Sequence, residues 1–184
     1  MKWLVKHANI LDEEADILIC SANVSLNLSG GVGGALLQRY GPKLQEALHA
    51  QIAGRSPRAA QRGEIFVTQF PEMPWKAVVH AVAVDGWYQT TEDVIREIIN
   101  RAMEVSMAMG AKKVALSALA TGYGNLTLER FAGAVNSVLQ IEFEPIEDAT
   151  ICVETKERAD ELSQLIRQSH ERGGPSRISP ERFG

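Results

Sequence analysis

Apolar residues along the chain fall into two patterns: short continuous runs, and spacings of three and four. The runs at Trp3–Lys6, Asp16–Cys20, Glu64–Gln69, Lys76–Val84, Lys113–Leu119 and Asp148–Glu154 are rich in β-branched and other apolar residues and predict strands. Helical spacing of Val32, Ala35, Leu36, Tyr40, Leu44, Ala47 and Leu48 predicts one helix from Val32 to about Ala53. A second carries Val94, Ile95, Ile98, Ile99, Ala102 and Met103 on one side, with Thr90 as its N-cap and Gly110 as its stop. Leu128, Phe131, Ala132, Val135 and Leu139 mark a third, and Ala159, Leu162, Leu165 and Ile166 a last one over Lys156–Ser169. The run Lys76–Val84 is almost wholly apolar, as expected of a strand covered on both faces.

Strands alternating with helices predict an α/β fold of three layers, with helices on both faces of a mixed, mostly parallel sheet. Glu64–Gln69 and Lys76–Val84 follow one another with no helix between, so one antiparallel pair is expected. No internal repeat is evident. Residues 1–170 read as one domain. Residues 171–184 lack periodicity, are rich in Gly, Pro, Ser and Arg, and read as a flexible C-terminal tail.

One stretch departs from plain core patterning. Ile17-Leu18-Ile19-Cys20 stops at Ser21-Ala22-Asn23, and Ser29-Gly30-Gly31-Val32-Gly33-Gly34 then opens directly into a helix. A strand, a glycine loop and a helix N-terminus together present backbone N–H groups and a positive helix end to an anion, most often phosphate. Glycines suit such a loop because a Cβ would hold the ligand off the backbone. The alternative is an ordinary flexible loop. Ala120-Thr121-Gly122-Tyr123-Gly124-Asn125 makes a second glycine loop after another strand. In parallel sheets ligands bind beyond the carboxyl ends of the strands, so both loops should share one rim and could hold a diphosphate from two sides.

Composition narrows the classes. The 184 residues, 45% hydrophobic and 23% charged, suit a single globular domain with its own core. A net charge of −4 gives no electrostatic footprint for duplex nucleic acid, although Arg55, Arg58 and Arg62 cluster in one loop, read as solvated. Cys20 and Cys152 sit in apolar runs and read as core residues rather than a disulfide or metal site. No run approaches the roughly 20 apolar residues of a membrane span, and the first residues lack a signal-peptide core. The chain therefore reads as cytoplasmic, with no membrane partner, no metal and no required cofactor.

There is no Gly-x-x-x-x-Gly-Lys-Ser/Thr, no Gly-x-Gly-x-x-Gly with a ribose carboxylate, no nucleophile elbow and no clustered metal-ligand spacing. What is present, DILICSAN at Asp16–Asn23, SGGVGGAL at Ser29–Leu36, VVHAV at Val78–Val82 and SALATGYG at Ser117–Gly124, resembles the macro domain family in the same order. The resemblance runs from about Asn9 to Ile166 and implies ADP-ribose, or ADP-ribosylated protein, as ligand. It implies that Asn9 and Ile10 meet the adenine, with the Asn9 amide where the family carries a carboxylate. Asn23 would face the distal ribose. Gly30, Gly31, Val32 and Gly33 would wrap the diphosphate from one side, and Ala120, Thr121, Gly122, Tyr123 and Gly124 would close it from the other. Asn23 read from its residue type alone could instead cap the loop.

Some members of the family bind ADP-ribosyl groups; others hydrolyse them from protein or deacetylate O-acetyl-ADP-ribose. Here Gly33 stands where one branch has a water-positioning Asp, and Cys20 where the family has its first Asn. A binding module is the favoured reading, with a hydrolase using Asn23 as its catalytic residue the alternative, and a general nucleotide or RNA binder a third. His80 reads as a hydrogen-bonded core histidine, and Asp85-Gly86-Trp87 as a turn whose Trp87 could line the cleft. Oligomeric state leaves no mark in the sequence.

Overall fold

The structure, a computed structural model, describes residues 1–172. Six strands form one sheet: β1 (Lys2–His7), β2 (Ile17–Ala22), β3 (Ile65–Thr68), β4 (Ala77–Val82), β5 (Lys113–Ser117) and β6 (Asp148–Val153). Their order across the sheet is β1-β6-β5-β2-β4-β3. Every neighbouring pair is parallel except β3 with β4, the antiparallel pair expected from the missing helix between them. Five helices accompany the sheet: α1 (Gly31–Tyr40), α2 (Pro42–Gln51), α3 (Glu92–Ala108), α4 (Leu128–Asn136) and α5 (Lys156–Arg172).

Strand alternation sorts side chains into two cores. Ile17 and Ile19 of β2, with Ala77, Val79 and Ala81 of β4, join the core that also holds Ile95 of α3, Phe131 of α4 and Leu162 of α5. Leu18 and Cys20, with Val78 and Val82, point into the other core, beside Leu36 of α1 and Leu44 and Leu48 of α2. Both faces of β2 and β4 are therefore covered, which is why their sequences read as unbroken apolar runs. The α/β three-layer fold stands as expected.

Two expectations are corrected. The single helix from Val32 is two helices, broken at Gly41, which has φ +79°, with Pro42 starting α2. Proline lacks the N–H that a continuing helix would bond one turn back, so the apolar stripe persists while the helix axis does not. The N-cap of α3 is Thr91, not Thr90: the Thr91 hydroxyl accepts from the Val94 N–H, while Thr90 is buried. Glu171 and Arg172 end α5, and the rest of the expected tail, residues 173–184, lies outside the described residues.

Several ties hold the strand ends in register. At the amino ends, Asp16 Oδ2 accepts from the Lys112 and Lys113 N–H groups at 2.7 and 3.0 Å, and Oδ1 lies 3.3 Å from Lys76 Nζ. The entries to β2, β4 and β5 are thus joined at one carboxylate. At the opposite rim, the loops after β2 and β5 emerge side by side, because these two strands are direct neighbours.

Candidate functional site

The first loop takes its shape from side-chain amides. Asn23 Oδ1 accepts from the N–H groups of Ser25 and Asn27, both at 3.1 Å, and Nδ2 donates to the Asn27 carbonyl at 2.9 Å. Asn23 therefore caps the turn, as its residue type allows. Gln45 of α2 grips the next residues from below: its Oε1 accepts from the Leu28 N–H, and its Nε2 donates to the Leu26 carbonyl, both at 2.6 Å. Leu26 can hold its φ of +53° because both ends of its turn are pinned in this way.

The loop then enters α1. Its N-cap, Gly30 (φ +66°), makes no side-chain cap hydrogen bond, and Gly31, Val32 and Gly33 form the first turn. The N–H groups of that turn have no carbonyl one turn earlier, so the positive end of a ten-residue helix faces the rim with donors to spare. The second loop is bound to the first, since the Ala120 N–H donates to Ser21 Oγ at 3.1 Å. Arg158 of α5 braces it from outside, donating through Nη2 to Thr121 Oγ1 at 2.8 Å. The Thr121 hydroxyl in turn donates to the Ala118 carbonyl at 2.9 Å. The Tyr123 ring leans across to the first loop, where a Cβ on Gly30 would lie 2.8 Å from the tyrosine oxygen.

Two cavities open between these loops. The first, about 370 Å³, is lined by Asn23, Gly30 to Gly33, Ala120 and Gly122 to Gly124, with Leu26, Leu48, Val84 and Tyr88 as apolar wall. The second, about 410 Å³, is lined by His7, Asn9, Ile10, Ala35, Thr121, Cys152, Glu154 and Arg158. Gly31, Val32, Ser117, Ala118, Gly122 and Glu154 line both, so the pair forms one two-lobed groove with the glycine loops at its waist. Apart from Trp87, each position nominated from the sequence lines one lobe or the other. Asn9 stands at the second lobe, yet its side chain is engaged: Oδ1 accepts from the Leu11 N–H at 3.2 Å, capping a short 3-10 helix, and Nδ2 donates to Asp12.

Sequence reading missed Gln45, Ser21, Tyr88, Glu154 and Arg158. Gln45 had one signal, a polar residue beside the buried stripe Leu44 and Leu48. The others come to the groove from elements whose proximity only the sheet order creates. Trp87 is not a lining residue; its neighbour Tyr88 is. Burial pushes the thiol pKa of both cysteines up to about 12, so Cys152, although it lines the second lobe, offers no thiolate at neutral pH. His80 is sealed in the sheet, its Nε2 2.8 Å from Thr68 Oγ1 and its Nδ1 3.8 Å from Cys20 Sγ. It serves the core.

Comparison with known proteins agrees with this architecture. The Macro domain family model matches residues 19–135. The O-acetyl-ADP-ribose deacetylase of Citrobacter koseri is 31% identical over 139 residues, spanning 73% of this chain and 76% of that protein. A macro domain-containing protein of Streptomyces griseus is 28% identical over 142 residues, spanning 76% and 80%. Among solved structures, the Oceanobacillus iheyensis macrodomain with ADP superposes with a TM-score of 0.79 at 20% identity, covering 91% of each chain. The Trypanosoma brucei macrodomain in complex with ADP-ribose gives 0.72 at 18%, covering 91% of this chain and 68% of that one. This chain belongs to the macro domain family.

Proposed function

We propose that the two-lobed groove binds ADP-ribose and ADP-ribosyl groups. The observation that carries this reading is the waist. The unbonded N–H groups of the first turn of α1 lie opposite the Gly122–Gly124 loop, with a cavity on either side. A diphosphate there would take backbone donors from both loops, the bonds that suit a doubly charged linker. Adenosine would occupy the lobe of His7, Asn9 and Ile10, and the distal ribose the lobe of Asn23 and Tyr123. Asn23 spends its oxygen and one N–H on the turn, leaving its second amide N–H for a ribose hydroxyl. Relatives crystallised with ADP-ribose and ADP support the assignment.

Calorimetry with ADP-ribose, ADP and AMP tests it. ADP-ribose should bind at least about tenfold more tightly than AMP, since only it fills both lobes and the waist. Equal affinities, or none, would refute the groove as an ADP-ribose site.

A second reading, hydrolysis of an ADP-ribosyl or acetyl ester, draws on relatives named O-acetyl-ADP-ribose deacetylase. With Gly33 in the loop and Asn23 committed to its turn, a positioned water would depend on backbone donors and the ligand's own phosphates, so turnover should be slow. Incubation with O-acetyl-ADP-ribose and with mono-ADP-ribosylated protein separates the readings. Turnover that disappears in Asn23→Ala while ADP-ribose still binds would make the protein a hydrolase.

A further inference from the structure

Beside the first lobe, the five residues Asp85–Gln89 form a loop that is held far more firmly than its exposure requires. Asp85 Oδ1 accepts from the N–H groups of Trp87 and Gln89 at 2.9 and 3.0 Å. Arg62 Nη1 bonds both Asp85 Oδ2 and the Gln89 carbonyl, at 3.2 and 3.1 Å. Within this frame Tyr88 is kept at φ +60°, a conformation that costs a non-glycine residue free energy and persists only where its surroundings over-determine it. The frame shields no core: Trp87 is 82% exposed and Tyr88 50% exposed. Its effect is to hold the backbone from which two exposed aromatic side chains project.

These rings are not alone. Tyr123, 74% exposed, belongs to the second glycine loop, and the Asn125 N–H of that loop donates to the Tyr88 carbonyl at 3.1 Å. The Asn125 side chain accepts in turn from the Thr90 N–H at 2.8 Å. The two loops are thus tied together, and Tyr88 and Tyr123 both line the lobe assigned to the distal ribose. Aromatic side chains have only two rotatable side-chain bonds and offer large contact areas at little entropic cost, the usual property of interface anchors.

We propose that Trp87, Tyr88 and Tyr123 form a docking platform for the polypeptide that carries the ADP-ribosyl group. This inference rests on the proposed ADP-ribose site: the platform begins where the ligand's distal ribose, and hence its attachment point, leaves the groove. Charge selects the occupant. A nucleic acid chain draws much of its affinity from cations that neutralise phosphate. Here the flanking Arg62 is paired with Asp85, and the whole chain carries −4. A polypeptide needs only the ring faces and edge hydrogen bonds.

The test uses the full chain and three probes: free ADP-ribose, a short peptide bearing ADP-ribose through a non-cleavable link at the distal ribose, and an oligonucleotide bearing it through the same link. Calorimetry should show the peptide conjugate binding about tenfold more tightly than free ADP-ribose. Trp87→Ala should erase that gain and leave the affinity for free ADP-ribose unchanged, because Trp87 lies outside the groove lining. Trp87→Phe should retain most of the gain. The proposal is overturned if peptide conjugate and free ligand bind alike, if Trp87→Ala leaves the gain intact, or if the oligonucleotide conjugate binds more tightly than the peptide. Failure of free ADP-ribose to bind would instead overturn the groove assignment, and the platform with it.

Discussion

Gly124 shows how tightly the second loop is wound. A Cβ there would collide with the Ala120 carbonyl oxygen and sit 3.0 Å from Ala120 Cα, so Gly124→Ala must push backbone against backbone. The expected result is a loss of about 1–3 kcal/mol in denaturant unfolding, with ADP-ribose affinity falling by at least about tenfold as the loop's donors move. His80 makes a different kind of single-residue statement. Burial pushes its pKa down to about 4, so the folded protein holds it neutral while the unfolded chain protonates it near 6.5. Between those values the unfolded state binds more protons. Its full contribution is therefore present above about pH 6.5 and declines as pH falls toward 4, by about 3 kcal/mol in all. Chemical denaturation across that range checks it: His80→Gln should flatten the slope, and an unchanged slope would assign the pH dependence elsewhere.

At the level of elements, the two loops are braced by two helices, α2 and α5, that lie outside the groove's waist. Gln45 of α2 saturates two backbone groups of the first loop, so Gln45→Ala leaves a donor and an acceptor without partners. A cost of about 1–3 kcal/mol should follow, together with weakened ADP-ribose binding, read by thermal unfolding and calorimetry on the same sample. Arg158 of α5 braces the second loop, donating to the Thr121 hydroxyl at 2.8 Å and to the Thr121 carbonyl at 3.4 Å. Its lysine variant keeps the charge but not the planar nitrogen that reaches Thr121, so Arg158→Lys should weaken ADP-ribose binding nearly as much as Arg158→Ala. Full retention of affinity in the lysine variant would reduce the contact to simple charge. The break between α1 and α2 belongs here too. The apolar stripe ran through Gly41 and Pro42 without interruption, and periodicity measures which face is buried, not whether the backbone ladder continues.

For the molecule as a whole, the groove joins both sides of the fold, since its walls come from β2, β5 and β6 and from α1, α2 and α5. A ligand gripped there should stabilise the native state against global unfolding. At a concentration about 100 times Kd, ADP-ribose should add about 2.7 kcal/mol, raising the melting temperature by roughly 5–10 °C. A melting temperature that does not respond would place the ligand outside the cooperative unit. No helix among the described residues is long and apolar enough to cross a membrane.

Strand identities, the helices other than the α1–α2 pair, the antiparallel pair and the two glycine loops could all be read from the chain, because each depends on local composition and on which face is buried. The Asn23 turn was readable only as one of two alternatives, since the same amide can cap a loop or meet a sugar. What lay beyond the sequence was adjacency. The order β6-β5-β2-β4 brings Arg158, Glu154, Ser21 and Tyr88 to one rim from positions far apart in the chain. Sheet order follows from the packing of all the layers at once, and no local window contains that information. The sequence by itself determined the parts and the two glycine loops; tertiary structure alone decided which side chains brace them and where the aromatic rings stand.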